Sequence, residues 1–169
     1  MTGVQTCALP ICFPVTITIF LTQERGLLRP IVDVETFVTS SDYLNQAKAI
    51  RPAILSELKR LFATDQYREA VLTGGIGIGK NYMADLIMAY MIYRLSCYRN
   101  PQVEFGLVPG SNIVFIAQSA NATLAKKVVF SNIAGKIRES PYFREHFPPS
   151  KGIKTELVFP NNITVTPIS

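Results

Sequence analysis

A chain of 169 residues, 48% hydrophobic and 17% charged, has the apolar side chains to bury a core, which excludes a disordered or fibrous polymer and leaves one globular unit. Its formal net charge of +5 favours polyanionic partners such as nucleic acid or nucleotide phosphates, although a mildly basic solvated surface accounts for it equally well. Cys7, Cys12 and Cys97 form no C-x-x-C pair and have only His146 for company, so neither a zinc site nor a disulfide framework is indicated, and a reducing compartment fits.

Residues 1–11, Met-Thr-Gly-Val-Gln-Thr-Cys-Ala-Leu-Pro-Ile, resemble the translation of an adapter ligated to DNA for sequencing, and they lack the Lys or Arg that precedes the apolar stretch of a signal peptide. The stretch from Cys12 to Arg25 has a Val-Thr-Ile-Thr-Ile alternation with no evident partner, so residues 1–25 are expected to be non-native or unstructured and the fold to occupy residues 26–169. The apolar run Phe13 to Leu21 is far below the roughly 20 residues of a membrane helix, and Asp85 and Arg94 interrupt the run from Tyr82 to Cys97, so no membrane span is expected.

Asp33 and Glu35 alternate with Val32, Val34 and Phe37, which places the two acids at exposed positions of a short extended segment rather than in a metal pair. From Arg51 to Phe62, Ile54, Leu55, Leu58, Leu61 and Phe62 recur at helical spacing, with Pro52 in the first turn, and predict an amphipathic helix. Ala70-Val71-Leu72-Thr73 is a short, non-alternating apolar run, the pattern of a strand covered on both faces of a parallel sheet. Lys80 to Cys97 has neither Pro nor Gly and is apolar nearly all round, predicting a long, largely buried helix.

Asn100 to Ser111 reads as a loop, and Asn112 to Gln118 as a second buried strand. Ser119 is placed to cap a helix from Asn121 to Glu139, after which Pro141, Pro148 and Pro149 mark irregular chain. Thr155 to Phe159 and Ile163 to Thr166 flank Pro160-Asn161-Asn162 as a hairpin, and the chain stops at Ser169 directly after it, as a truncated reading frame would. The order predicts an α/β layered fold with parallel central strands flanked by helices, incomplete at the C-terminus.

Gly74-Gly75-Ile76-Gly77-Ile78-Gly79-Lys80-Asn81 matches the phosphate-binding pattern G-x-x-x-x-G-K-[ST] at every specified position except the last. Glycines let successive backbone N–H groups face an anion without Cβ obstruction, at a helix N-terminus whose partial positive charge adds to the attraction. Lys80 is expected to reach the β- and γ-phosphates as a mobile point charge and is the candidate catalytic residue. The hydroxyl that normally meets Mg²⁺ is replaced by the amide of Asn81, one bond longer, which predicts weakened Mg²⁺ positioning without loss of phosphate binding. A dinucleotide fingerprint G-x-G-x-x-G fails in both registers, because glycine would be needed at Lys80 or at Tyr82.

From Ile31 onward the chain resembles a bacteriophage terminase large subunit, on the stretches 31–37, 67–77, 93–97, 110–115 and 140–143. The resemblance implies an additional-strand P-loop ATPase domain that uses ATP and Mg²⁺, followed in the family by a nuclease domain. Gly74, Gly79 and Lys80 carry over to the family's Walker A motif and Asn81 departs from it, while the Walker B aspartate and the catalytic glutamate are expected beyond Ser169. It also implies double-stranded DNA, the phage portal and a small terminase subunit as partners, an oligomer when intact, and the cytoplasm of an infected bacterium as location. A helicase-like P-loop ATPase and a non-catalytic prophage remnant are the alternatives.

Three weaker features complete the reading. Gln118-Ser119 could meet nucleotide or DNA at a strand's carboxyl end, with helix capping the simpler role. Lys126, Lys127, Lys136 and Arg138 could line a DNA track, or a solvated helix face. His146 has no recognisable nucleophile or metal partner.

Overall fold

The structure, a computed structural model, describes residues 16–18, 26–64, 67–119, 130–151 and 155–168. Its axis is helix α3 (Lys80–Ser96), 17 residues without a helix breaker, in which Leu86, Ile87, Ala89 and Ile92 have no exposed surface. A helix apolar on every side needs cover on every side. That cover comes from α1 (Val34–Thr39), α2 (Pro52–Phe62) and α5 (Ser131–Glu139).

The segment expected to be extended around Asp33 is instead the start of α1. The Asp33 carboxylate accepts from the Thr36 backbone N–H at 3.0 Å and from its hydroxyl at 2.6 Å, satisfying a donor at the open end of the helix. These bonds hold the Asp33 carboxyl below the usual carboxylate range. Glu35, in the first turn, reaches Lys59 of α2 at 2.5 Å. A cap at Asp33 and a helix one and a half turns long explain the five-residue alternation that looked like a strand.

Phe37 and Tyr93 stack with centroids 4.6 Å apart, at the centre of a cluster with Tyr43, Tyr90, Tyr142 and Phe143. Two of these hydroxyls meet the backbone, Tyr93 Oη accepting from the Val32 N–H at 3.0 Å and Tyr90 Oη donating to the Val32 carbonyl at 2.8 Å, while that of Tyr142 pairs with Ser96 Oγ at 2.8 Å.

A three-stranded sheet runs in the order β3 (Ile113–Gln118), β5 (Ile163–Ile168), β4 (Leu157–Phe159), with β3 and β5 parallel and β4 antiparallel to β5. The turn between β4 and β5 carries Asn161 and Asn162 at φ 59° and 52°, the left-handed pair that a tight hairpin requires and that asparagine tolerates. One sheet face is core, with Leu157, Phe159, Ile163 and Val165 at most 3% exposed. The other is open: Val114 and Ile116 are 49% and 54% exposed, so β3 is covered on one face and not two.

The strand before the glycines differs more from expectation. β2 (Glu69–Val71) pairs antiparallel with β1 (Thr16–Thr18), apart from the larger sheet, and Val71 is 54% exposed. Thr16–Thr18, the described part of the Val-Thr-Ile-Thr-Ile alternation, thus has a partner in β2, and no described residue covers the outward side of Val71 as a doubly covered parallel strand would demand. The remaining residues of 1–25 lie outside the described ones.

Two loops expected from proline contain short helices, α4 (Pro101–Glu104) and α6 (Pro141–His146), each with its proline in the first turn, where the missing N–H costs nothing. Ser140 caps α6 by accepting from the Phe143 N–H. Of the helix expected from Asn121 to Glu139, α5 is the described part; residues 120–129, with Lys126 and Lys127, lie outside the described residues.

Lys136 of α5 is turned inward. Its ammonium meets Asp85 of α3 at 2.7 Å, with the two side chains 16% and 5% exposed, and sits 5.1 Å from the centre of the Tyr82 ring. Lys136 thus belongs neither to a DNA track nor to a solvated face, while Arg138 is exposed. Burial pushes the Asp85 carboxyl above its ordinary range and Lys136 pulls it back. Removing one partner strands the other charge in the core, so Asp85→Ala is expected to cost about 3 kcal/mol in urea unfolding. An Asp85→Leu, Lys136→Met double variant should lose clearly less than that; an equal loss would mean the pair is not what holds α3 to α5.

Candidate nucleotide-binding loop

The motif 74–81 lies between β2 and α3, with Lys80 and Asn81 forming the first turn of the helix. Gly74, Gly77 and Gly79 have φ of 138°, 83° and 101°, a run of left-handed positions that side-chain-bearing residues adopt only at a cost. Gly79 is also the N-cap of α3 and has no side chain, so the N-cap position offers the first-turn amides no acceptor. The helix is engaged at once by the Met83 N–H, which donates to the Gly79 carbonyl at 2.9 Å.

Space around the loop divides the glycines into two kinds. A Cβ on Gly79 would stand 2.7 Å from Ile54 Cδ1 of α2, so this glycine lets α2 press against the mouth of α3. A Cβ on Gly75 or Gly77 would meet nothing within 4 Å, so the backbone there borders open space. Ile76 is 96% exposed at the tip, and Ile78 is half exposed.

Two cations lie on the loop. Lys80 Nζ donates to the carbonyls of Gly74 and Gly75 at 2.6 and 2.8 Å, folding the ammonium back into the cup of its own motif. Arg51, at the N-cap of α2, donates from Nη1 to the Gly77 carbonyl at 3.3 Å. Sequence reasoning missed Arg51: it stands 26 positions from Gly77, and only the packing of Ile54 on Gly79 brings it there.

A cavity of about 400 Å³ opens beside the loop, walled by Ile54, Glu57 and Arg60 of α2, by Thr73, and by Lys80 and Met83 of α3. Glu57 and Arg60 are paired at 2.5 Å on its rim. Asn81 is exposed in the first turn of α3. Among the described residues no group of three or more His, Cys, Asp or Glu gathers to hold a metal ion. The donor set, one amide oxygen beside a phosphate cradle, fits a Mg²⁺ carried in by a nucleotide and does not fit a metal held by protein ligands alone.

The other candidates stand apart from the loop in role. Ser119 follows β3, its N–H donating to the Ile168 carbonyl at 3.2 Å, and the residues at which it was expected to cap a helix lie outside the described ones. Gln118 beside it is exposed. His146 packs its ring 5.3 Å from that of Tyr142.

A family model described as "Uncharacterized protein MJ0330, N-terminal P-loop domain" matches residues 22–167. The chain belongs to this P-loop family. The match takes in the glycine loop, α3 and the three-stranded sheet, so the α/β fold and the nucleotide-binding, NTPase-type character of the domain hold together. The family description names neither a phage nor DNA. No curated protein and no solved structure matches the chain. No helix among the described residues is long and apolar enough to cross a membrane.

The two demands on Gly79 are separable. Gly79→Ala is expected to lower unfolding stability by about 1–2 kcal/mol through its left-handed φ, with a further loss from the contact at Ile54. Adding Ile54→Val, which removes the offending Cδ1, should recover the second part and leave the first; full recovery would show that φ imposes no strain.

Proposed function

We propose that the loop 74–81 binds the phosphates of ATP, and that the intact protein is the ATPase of a DNA-packaging terminase large subunit, coupling hydrolysis to translocation of double-stranded DNA. The observation that carries the first clause is the cup itself: left-handed Gly74, Gly77 and Gly79, uncapped amides at the start of α3, and Lys80 Nζ within 2.8 Å of two loop carbonyls. Membership of a P-loop family supports it. The second clause is supported by the sequence resemblance from Ile31 to Phe143.

In this reading the amides of residues 75–80 point at the β-phosphate and Lys80 exchanges its carbonyl partners for β- and γ-oxygens. Asn81 would ligate Mg²⁺ through its side-chain oxygen, and that ion, when bound, supplies charge neutralisation between the β- and γ-phosphates. An amide gives Mg²⁺ a longer and less well-set arm than a hydroxyl. The chain as it stands therefore holds nucleotide without turning it over, which also keeps a non-catalytic remnant as the second reading. A phage portal, a small terminase subunit and further copies of the chain are the partners proposed for the intact protein, in the cytoplasm of an infected bacterium.

Titration of the 169-residue chain with a fluorescent ATP analogue should show saturable binding, weakened at least tenfold by Lys80→Ala. Equal binding by the two would remove the nucleotide reading. Asn81→Thr should tighten binding in Mg²⁺ and leave it unchanged in EDTA. Steady phosphate release above the Lys80→Ala control would contradict the claim that this chain does not hydrolyse ATP.

A further inference from the structure

The charges around the loop are not distributed evenly. Lys59, Arg60 and Lys136 each hold a carboxylate, at 2.5, 2.5 and 2.7 Å. Lys80 and Arg51 hold only carbonyls of the loop, and among the described residues neither has an ion-pair partner. The carboxylate on the adjoining wall, Glu57, is occupied by Arg60. Two formal positive charges thus converge on eight residues, and among the described residues they meet only backbone carbonyls.

Arg51 is placed there by the fold. It is the N-cap of α2, gives that helix no side-chain cap bond, and precedes Pro52 at the first helical position. One turn on, Ile54 packs where Gly79 lacks a Cβ, bringing the N-terminal ends of α2 and α3 to the same loop. The guanidinium carries five N–H donors, and the bond to Gly77 uses one of them. A planar, permanently charged fork with spare donors is suited to phosphate oxygens, which it can meet two at a time. Gly77, the residue whose carbonyl it touches, borders the open space a phosphate chain would enter.

We propose that Arg51 is a second phosphate-binding residue of this site, lying outside the G-x-x-x-x-G-K motif, and that it contacts the phosphate chain of the bound nucleotide alongside Lys80. This rests on the nucleotide reading of the loop. The competing role is a brace: the Gly77 bond could merely hold the loop in shape. Charge separates the two. Arg51→Gln keeps an N–H donor for the Gly77 carbonyl and removes the cation; Arg51→Lys keeps the cation and loses the fork.

The experiment measures binding of ATP, ADP and AMP to the full chain and to Arg51→Gln, Arg51→Lys and Lys80→Ala, with circular dichroism confirming that each variant is folded. Arg51→Gln should lose about tenfold in ATP affinity, less for ADP and little for AMP, and Arg51→Lys should keep ATP within about threefold of wild type. A uniform loss across the three nucleotides, or wild-type ATP affinity in Arg51→Gln while Lys80→Ala binds poorly, would overturn the role of Arg51 and leave the loop's function standing. Absence of ATP binding by the wild-type chain would overturn both.

Discussion

The approach of α2 to Gly79 is the contact on which the site depends. Ile54 occupies the space a Cβ would take, and this sets where α3 begins, how the loop must curl to reach it, and which residue of α2 overlooks the curl. A larger residue at 79 would push the two helices apart and flatten the turn, because the left-handed conformation and the close contact are demanded at the same atom. The neighbouring glycines are under a different demand. At Gly75 and Gly77 nothing stands within 4 Å of where a Cβ would be, so what they keep clear on that side is open space.

The loop is anchored from behind by the burial of α3. Its middle is enclosed by the aromatic cluster around Phe37 and Tyr93 and by α5, with the Asp85–Lys136 pair fixing the rotation of the helix about its axis. A buried pair of this kind adds little net stability against an apolar substitute, but it penalises every register in which either charge is left alone. Rotation of α3 would carry Lys80 and Asn81 away from the loop, so a contact one and a half turns into the helix bears on the geometry at its start.

The glycine loop and its lysine were legible because their chemistry is written in consecutive residues, and α2, α3 and the β4–β5 hairpin because their periodicity or turn residues are unambiguous. Other features were not. Asp33 is exposed, as its alternation with apolar neighbours suggested, but its segment looked extended since a capping contact to Thr36 and a strand-like alternation share the residues from Val32 to Phe37. β2 and β3 read as doubly covered because apolar residues on both faces look alike in sequence whether or not anything lies against them; Val71, Val114 and Ile116 are exposed. Lys136 appeared to be a surface cation because its partner Asp85 is 51 positions away. Arg51 was invisible for the same reason, since long-range pairing is a property of the packed chain and leaves no local mark.

The ammonium of Lys80 rests on the carbonyls of Gly74 and Gly75 of its own loop. It acts as an internal tenant of the cup, so those oxygens are not left to repel one another. Under the proposed function, a phosphate arriving at the mouth would exchange one set of lysine partners for another and would meet a loop whose ordering entropy was spent when the chain folded. Ligand uptake would then be governed by encounter and by the heat of swapping carbonyl for phosphate oxygen, with little search through loop conformations.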